Sequence, residues 1–313
     1  MTRQSRYDHA RIASLAASMT AEDVAAEIGC SIATVAYVRR KVRDGGAVGQ
    51  TKLSVGRARV KREQAGPRAT IARHALRPIG DAPAAMPAIN NAALREARTI
   101  YPSTVLHERE VKNGLKSGEH SAKIGAVILK GRWRGFPVYT LTLEERATCP
   151  TSCAHWRSCY GNSMHLAQRL RHGPDLEWRL EREIAALELR HRGGFAIRLH
   201  VLGDFYSVEY VEFWRRMLDR HPALHVFGFS ARWNCSADPI AAALVPLVME
   251  RWDRFAVRMS NAPVDECATR SIEHPTQCPS GVIICPAQQG KTESCSTCGL
   301  CWQTTRNVAF LQH

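Results

Sequence analysis

Three cysteines lie close together in the middle of the chain, at Cys149, Cys153 and Cys159. Three thiolates can coordinate three irons of a 4Fe–4S cluster and leave the fourth iron open to a substrate or cofactor. A zinc ion, with His155 or His165 as the fourth ligand, would explain the same residues without any enzyme. The sequence favours iron–sulfur at this site, and zinc stays open as the alternative.

A second set of cysteines follows further along the chain with a more regular spacing. It consists of a CxxCxxC run and one remote cysteine beside a proline, namely Cys295, Cys298, Cys301 and Cys285. This arrangement is typical of 4Fe–4S ferredoxins, whereas zinc sites usually have separated CxxC pairs. Cys267 or Cys278 could replace Cys285 as the remote ligand. Ligation of every iron by cysteine favours electron transfer or structural support over substrate binding.

Strand and helix patterns alternate along the segments that carry these cysteines. Short runs rich in Val, Ile, Leu and Phe predict strands at 138–143, 195–202, 224–229, 254–259 and 281–285. Apolar residues at intervals of three and four predict helices at 176–190, 208–220 and 239–251. Such alternation predicts an α/β fold with a parallel sheet, here a partial (β/α) barrel followed by a cysteine-rich cluster segment. The first cysteine set follows the first strand, at the end where α/β folds place their sites.

A cysteine loop directly after the first strand resembles the radical-SAM superfamily, in which such a loop holds the cluster that binds and cleaves S-adenosylmethionine. The CxxxC start of the loop matches the superfamily's first interval. The second interval departs from the superfamily, because it is longer and because the aromatic Tyr160 follows Cys159 instead of preceding it. The resemblance implies that Gly203 and Asp204, after the second strand, contact the cofactor.

Other polar side chains at strand ends would face the same site. Arg198 lies in the second predicted strand, and Ser230 follows the third. Side chains at the carboxyl ends of barrel strands point into the site, and an arginine there can bind a carboxylate. We therefore predict that Arg198 and Ser230 join Gly203 and Asp204 in binding a nucleotide-like cofactor such as S-adenosylmethionine.

Residues 1–45 predict a small all-α domain of the helix-turn-helix type. Thr20 is a suitable N-cap for one helix, Gly29 ends it, and a second helix with Val35 and Val38 on its buried side follows. The segment resembles the helix-turn-helix domains of small transcription factors and resolvases. The resemblance implies DNA contacts from the second helix and its basic end, at Ser31, Thr34, Tyr37, Arg39, Arg40 and Lys41. An ordinary helical hairpin is the alternative.

A basic segment separates this domain from the rest of the chain. The protein carries a net charge of +14, and residues 39–78 hold twelve basic and two acidic side chains, which leaves +10 in this segment. Scattered glycines and the lack of an apolar period predict a flexible linker at 46–92. An α/β domain at 93–265 and a cysteine-rich segment at 266–313 follow. The excess of positive charge favours a polyanionic partner, which we take to be DNA.

Several runs of sequence point to one family. They are YTLTLEERATCP at 139–150, CYGN at 159–162, RLHVLGDFYS at 198–207 and CSTCGLCW at 295–302. These runs resemble the family known as phage gene product 88, whose biochemical function is undefined. The resemblance covers residues 95–313 and implies that this part is one unit that binds metal. It implies no particular reaction.

The sequence gives no sign of a membrane segment or a secretory signal. The longest apolar run, Ile240–Met249, is ten residues long and contains Pro246. Spanning a bilayer takes roughly 20 residues. The N-terminus has basic residues but no apolar core of a signal peptide. We therefore expect a cytoplasmic protein with no membrane partner.

Two functions from different classes fit these features. The first is a radical-SAM-like enzyme of phage or mobile-element type that acts on DNA or a DNA-bound partner. It would hold one or two 4Fe–4S clusters and receive electrons from a reductant protein. The second is a non-catalytic DNA-binding regulator whose iron–sulfur or zinc centres are structural or redox-sensing. We expect the enzyme, because a regulator does not need three cysteines at the mouth of an α/β domain.

Overall fold

A computed structural model describes residues 8–43, 86–121 and 123–312. The chain divides into two compact units, residues 1–68 and 69–313. Most of the predicted linker at 46–92 lies outside the described residues.

The first unit contains the helices α1 (His9–Leu15), α2 (Ala21–Ile28) and α3 (Ile32–Arg43). At the start of α2 the Thr20 hydroxyl accepts a hydrogen bond from the Asp23 N–H at 3.2 Å. At its end Gly29 has a φ of 69°, the left-handed conformation that terminates many helices. The helices enclose a small apolar core, consisting of Ile12, Val24, Ala25, Val35 and Val38. That this bundle is a helix-turn-helix domain stays a prediction.

The second unit alternates between helices and strands. It begins with the short elements α4 (Ala92–Arg95), β1 (Val105–Leu106), β2 (Lys116–Ser117), β3 (Val138–Thr140) and β4 (Arg169–Leu170). Longer elements follow, namely α5 (Pro174–Arg190), β5 (Phe195–Leu199), α6 (Val208–Arg220), β6 (Leu224–Ser230), α7 (Pro239–Glu250) and β7 (Phe255–Ser260). The last elements are β8 (Ala268–Ile272), β9 (Ile283–Ile284), α8 (Cys295–Cys298), α9 (Leu300–Gln303) and β10 (Val308–Leu311). Within the described ranges, no helix is long and apolar enough to cross a membrane.

One sheet carries most of these strands in the order β2-β3-β5-β6-β7-β8-β10-β9. β2 is antiparallel to β3, and every later neighbour in this order is parallel. β1 and β4 form a separate parallel pair. The mostly parallel α/β sheet confirms the predicted fold class, and its curvature into a partial barrel stays a prediction. The sequence did not predict β10, which lies between β8 and β9, because so short an apolar run has no clear period.

Two strands end earlier than the sequence predicts. β3 stops at Thr140 and β5 at Leu199, whereas the predicted strands continue to Leu143 and Leu202. His200 has a φ of 52°, which interrupts the extended backbone directly after β5. The Leu143 N–H nevertheless donates to the Leu202 carbonyl at 3.0 Å. The two segments therefore stay side by side beyond the regular sheet, where the first cysteine loop begins.

The two faces of the sheet have different covers. Successive residues of a strand point to opposite faces, and Phe195 and Ile197 of β5 pack in the main core with α5, α6 and α7. Ala196 faces the other way and packs in a separate cluster with Trp133 and Trp302. The two indole rings are stacked with their centroids 5.6 Å apart. We call this side, which α5, α6 and α7 leave uncovered, the second face.

Candidate metal centres

Arg146 organises the loop that carries the first cysteine set. Its backbone has a φ of 66°, which residues other than glycine seldom adopt. The buried guanidinium donates through Nε to the Trp156 carbonyl at 3.0 Å and through Nη2 to Asn162 Oδ1 at 2.6 Å. Trp156 and Asn162 lie on either side of Cys159. Arg146 therefore fixes the long second interval of the cysteine run.

A buried ion pair holds the base of the same loop. The Arg169 guanidinium donates to the Glu145 carboxylate through Nε at 2.6 Å and through Nη2 at 3.1 Å. Glu145 also accepts a hydrogen bond from the Thr99 hydroxyl at 2.7 Å, and Arg169 donates to the Gly161 carbonyl at 3.1 Å. Removing one partner of a buried pair leaves an unpaired charge, which costs about 3–5 kcal/mol. The pair thus fastens the start of the loop to its end.

The three thiols of the first set lie together and are hard to ionise. Burial raises the pKa of Cys149 and of Cys153, and it raises the pKa of Cys159 to about 11. The charge of Cys153 adds to the rise at both of its neighbours. None of the three forms a disulfide. A bound metal would offset this cost, because thiolates that coordinate a cation stay deprotonated.

Asp204 joins the ends of two strands beside these thiols. Its Oδ1 accepts from the Ser230 hydroxyl at 2.7 Å and from the Phe205 N–H at 2.8 Å, and its Oδ2 accepts from the Ala231 N–H at 2.7 Å. A carboxylate has about four acceptor positions, so the chain itself uses most of them. Burial raises the pKa of Asp204 to about 6, although these hydrogen bonds lower it. The Asp204 charge adds to the raised pKa of Cys149.

Gly203 and Thr148 hold Asp204 against the start of the cysteine loop. The Thr148 hydroxyl accepts a hydrogen bond from the Asp204 N–H at 3.0 Å. A Cβ on Gly203 would lie 2.7 Å from both Leu143 Cβ and Thr148 Oγ1, so there is room for glycine alone. The predicted cofactor residues Gly203 and Asp204 therefore pack on Thr148, which precedes Cys149. The hydrogen bond from Ser230 to Asp204 places Ser230 in the same group.

The remaining predicted cofactor residue, Arg198, lies apart from this group, on the second face. Its guanidinium stands over the Phe229 ring, 4.7 Å from the ring centroid. Burial lowers the pKa of Arg198, and the charges of Tyr160, Cys295 and Cys301 oppose that shift. Tyr160 directly follows the last cysteine of the first set. Arg198 is therefore within electrostatic range of the second cysteine set and of the residue that follows the first.

The second cysteine set is built on two short helices. The Ser294 hydroxyl caps α8 by accepting a hydrogen bond from the Thr297 N–H at 3.3 Å. Gly299, with a φ of 71°, ends α8 and leads into α9. The buried Arg258 guanidinium on the second face then donates to the Cys301 carbonyl at 2.9 Å. Local turns and one arginine thus position the CxxCxxC run.

The predicted remote cysteine of this run is Cys285. Burial raises the pKa of every cysteine in the run, that of Cys301 to about 12, and the charge of Cys285 raises each of them further. Cys278 donates instead to a carbonyl of its own turn at 3.5 Å, and Cys267 interacts with Arg258. The charge of Cys285 thus acts on every thiol of the run, and which remote cysteine completes the set stays a prediction.

Both cysteine sets gather their thiols without preforming a site for a single ion. Among the residues that the structure describes, no three Cys, His, Asp or Glu side chains are close enough to hold one metal ion. The charges of the thiols within each set raise one another's pKa, and whether a set binds iron–sulfur or zinc stays a prediction.

One buried nitrogen of the first site makes no hydrogen bond to the described residues. It is Arg146 Nη1, which lies 4.0 Å from Glu145 Oε1. The Arg146 charge lowers the pKa of Cys153 and Cys159, against the larger effect of burial. A buried donor without an acceptor costs about 1–3 kcal/mol. An anionic group held among the three thiols would supply the acceptor, so these residues fit a bound cluster.

The two histidines of the zinc alternative have different surroundings. Both ring nitrogens of His155 are near hydroxyls, with Nε2 at 2.8 Å from Ser271 Oγ and Nδ1 at 3.3 Å from Ser158 Oγ. His165 is exposed, and its ring centroid lies 6.5 Å from that of Tyr101. His155 would have to release a serine before it could bind a metal.

In the first unit, several residues predicted to contact DNA have local partners. The Ser31 hydroxyl accepts a hydrogen bond from the Thr34 N–H at 3.2 Å. Arg39 donates through Nη2 to the carbonyls of Ala16 at 3.2 Å and Met19 at 2.6 Å. The other three predicted contacts lie on the outer side or at the basic end of α3, at Tyr37, Arg40 and Lys41. Their binding to DNA stays a prediction.

Sequence reasoning missed the buried partners that shape the first loop. They are Glu145, Asn162 and Arg169, each of them nearly inaccessible to solvent. The one signal available was the charged pair Glu145–Arg146, placed between an apolar strand and the first cysteine. No spacing rule connects that pair to Arg169, which lies 24 residues beyond Glu145.

Comparison with known proteins places most of the second unit in one family. A family model described as Gene product 88 matches residues 108–304, which is more than half of the chain. The match contains both cysteine sets and the paired arginines of the first loop. Comparison with curated proteins and with solved structures gave no match.

Proposed function

Since this chain belongs to the gene product 88 family, we propose that it is a DNA-associated iron–sulfur protein with a radical-SAM-like active site. The three thiols of the first set would hold a 4Fe–4S cluster with one open iron. The second set would hold an auxiliary cluster, and the first unit would bring the site to DNA or to a DNA-bound partner.

One observation carries the proposal more than any other. Three free thiols lie in the loop that Arg146 holds, and the buried Nη1 of Arg146 has no hydrogen-bond acceptor among the described residues. A site that needed only to be packed would not leave a buried guanidinium nitrogen without an acceptor beside three buried thiols, since buried polar groups are normally paired. A thiolate-bound cluster is anionic and would satisfy both needs.

The shape of the sheet supports the barrel part of the proposal. Phe229 on β6 and Phe310 on β10 are in edge-to-face contact with centroids 5.4 Å apart, although β7 and β8 lie between their strands. At about 4.8 Å per strand, a flat sheet would separate these strands by about 14 Å. The bond from His155, in the loop after β3, to Ser271 on β8 spans the sheet in the same way. Both contacts are those expected of a concave second face, as in a partial barrel.

The residues around the site would have separate roles in binding and positioning a ligand. A 4Fe–4S cluster, when bound, supplies one-electron transfer and an open coordination position. The Arg198 guanidinium, stacked on Phe229, is a suitable partner for a carboxylate. Asp204 acts as a positioning residue, because its hydrogen bonds fix the ends of β5 and β6 beside the cysteine loop. The half-exposed Tyr160 would flank a ligand bound between Arg198 and the first set.

The test begins with metal and acid-labile sulfide on protein purified without oxygen. Two loaded sites predict about eight irons and eight sulfides per chain. Electron paramagnetic resonance of the reduced protein should show one signal that changes when S-adenosylmethionine is added, and the reaction should release 5′-deoxyadenosine and methionine.

Matched cysteine variants distinguish loss of the first cluster from a non-specific loss of folding or metal. Cys159→Ala should abolish the response to S-adenosylmethionine and leave about half of the iron, because the second set is intact. Cys235→Ala, at an exposed cysteine outside both sets, should behave as the wild type. Protein that contains iron but neither responds to S-adenosylmethionine nor cleaves it would overturn the enzymatic proposal.

A non-catalytic regulator is the second candidate, and one observation favours it. The Asp204 carboxylate, which the resemblance assigns to a cofactor, already accepts three hydrogen bonds from within the chain. In that case the clusters or zinc would be structural or redox-sensing. Affinity for DNA that changes with oxidation of the protein, with no turnover of S-adenosylmethionine, would support the regulator.

A further inference from the structure

One segment beside the second cysteine set is basic and partly apolar. The segment 123–134, KIGAVILKGRWR, contains four basic side chains and no Asp or Glu. Lys123 and Lys130 are exposed, and so are the aliphatic side chains of Val127 and Leu129 between them. We call the surface formed by these four residues the 123–130 surface.

This surface is fastened directly to the helix that carries the second set. The Lys123 carbonyl accepts a hydrogen bond from the Cys295 N–H at 2.8 Å, and the Leu129 N–H donates to the Ser296 carbonyl at 3.0 Å. A Cβ on Gly125 would lie 2.1 Å from Ser296 Oγ, so the two segments are in close backbone contact. The exposed lysines and the thiols therefore form one structural unit.

The second set lies between this surface and the interior. On the outer side, the charge of Lys123 lowers the pKa of Cys295 and that of Lys130 lowers the pKa of Cys298, against the larger effect of burial. On the inner side, the Arg198 guanidinium interacts with Cys295. Arg198 also interacts with Tyr160 at the first set. The backbone hydrogen bond from Cys295 to Lys123 joins the surface to the second set, and Arg198 is within electrostatic range of both Cys295 and Tyr160.

We propose that the 123–130 surface is the docking site for an acidic one-electron carrier protein that reduces the chain through the second set. The inference rests on the proposed function, because it assumes a cluster on those cysteines. One electron would leave the reduced cofactor of the carrier and enter that cluster, and no bond or proton needs to move. Positive charge around an apolar centre fits a transient acidic partner, whose approach it accelerates.

The same surface fits nucleic acid less well. Phosphate contacts need basic and polar groups and make no use of two exposed aliphatic side chains. Val127 and Leu129 would instead be buried against a protein partner.

Charge reversal on the full chain tests the docking site. The probe is a reduced acidic 2Fe–2S ferredoxin, and the readout is the stopped-flow rate at which it reduces the protein without oxygen. Lys123→Glu together with Lys130→Glu should slow this rate about tenfold or more at low salt and have little effect at high salt. Reduction by photoreduced deazariboflavin, a small neutral reductant, should not change. The control pair, Arg192→Glu with Arg216→Glu, reverses two exposed charges elsewhere and should change the rate less than about twofold.

An association measurement keeps the test independent of the clusters. The affinity of fluorescently labelled ferredoxin for the chain should fall about tenfold or more in the Lys123→Glu, Lys130→Glu protein, whether or not metal is bound. Equal losses in the control pair would overturn the inference. So would an unchanged ferredoxin affinity, and a parallel loss of DNA affinity would then assign the surface to nucleic acid. Absence of iron from the wild type would instead overturn the proposed function, and the affinity result would still decide the docking site.

Discussion

The two cysteine sets of this protein are positioned by opposite means. The second set lies on two consecutive helical turns, where a serine cap and one glycine fix the spacing. The first set lies in a loop whose shape depends on buried charged side chains, among them Arg146 and Arg169. Local spacing therefore explains the CxxCxxC run of the second set, although not its approach to Cys285, whereas the whole first set takes its shape only in the folded chain. The first site should accordingly be the more fragile of the two.

The largest effect should come from breaking the ion pair below the first set. We expect Arg169→Met to lower the free energy of unfolding by about 3–5 kcal/mol, because Glu145 keeps a buried charge without a partner. The double variant Arg169→Met with Glu145→Gln should recover part of that loss. Arg215→Met, which removes exposed ion pairs, should cost under about 1 kcal/mol. Urea unfolding of the three proteins measures these differences, and equal losses for Arg169→Met and Arg215→Met would contradict the comparison.

Adding one methyl group at a glycine compares the two sites directly. Gly203→Ala forces a Cβ to within 2.7 Å of Leu143 Cβ and Thr148 Oγ1, and we expect a loss of about 2–3 kcal/mol. At Gly299→Ala the nearest atom, at 2.0 Å, is the end of the flexible Gln303 side chain, which can move away. The loss there should be about 1 kcal/mol, from the left-handed backbone alone. Thermal unfolding of both variants tests the order, and a larger loss at Gly299 would reverse it.

Acid should destabilise the strand end next to the first set. Burial lowers the pKa of His200 to about 3, far below the value of about 6.5 that it has in the unfolded chain. Between these values the unfolded state binds one more proton, so stability falls as the pH drops below 6.5, by about 1.4 kcal/mol per pH unit at most. His200→Asn, which tolerates the left-handed backbone, should reduce that slope. Unfolding at pH 7.5, 6.5 and 5.5 measures it, and an unchanged slope would show that His200 is not the group responsible.

The smallest effect concerns the cap of the second set. Ser294→Ala removes the hydroxyl that accepts from the Thr297 N–H, which we expect to cost about 1 kcal/mol. Ser163→Ala, at an exposed position in the first loop, should cost nothing measurable by the same unfolding assay. A loss above about 3 kcal/mol for Ser294→Ala would mean that the second set depends on more than its local turns.

The elements that the sequence predicted best are those whose signals are local. Helix α6 matches its predicted bounds at residues 208–220, because its apolar positions recur at helical spacing. The CxxCxxC run likewise lies on the compact turns that its spacing suggests. The pairing of Glu145 with Arg169 could not be predicted, since it depends on two segments that meet only in the fold. The early ends of β3 and β5 were missed for a similar reason, because His200 takes its left-handed backbone within the folded strand end.

The place of β10 in the sheet has a consequence for how the protein is made in the cell. β10 lies between β8 and β9, both of which leave the ribosome before it. The sheet cannot extend from β8 to β9 until β10 has been synthesised and has paired with both strands. Residues 295–301 lie on the segment between β9 and β10, so the same late event brings the CxxCxxC run to Cys285. Under the proposed function, iron and sulfide should therefore enter the second set only after β10 has joined the sheet.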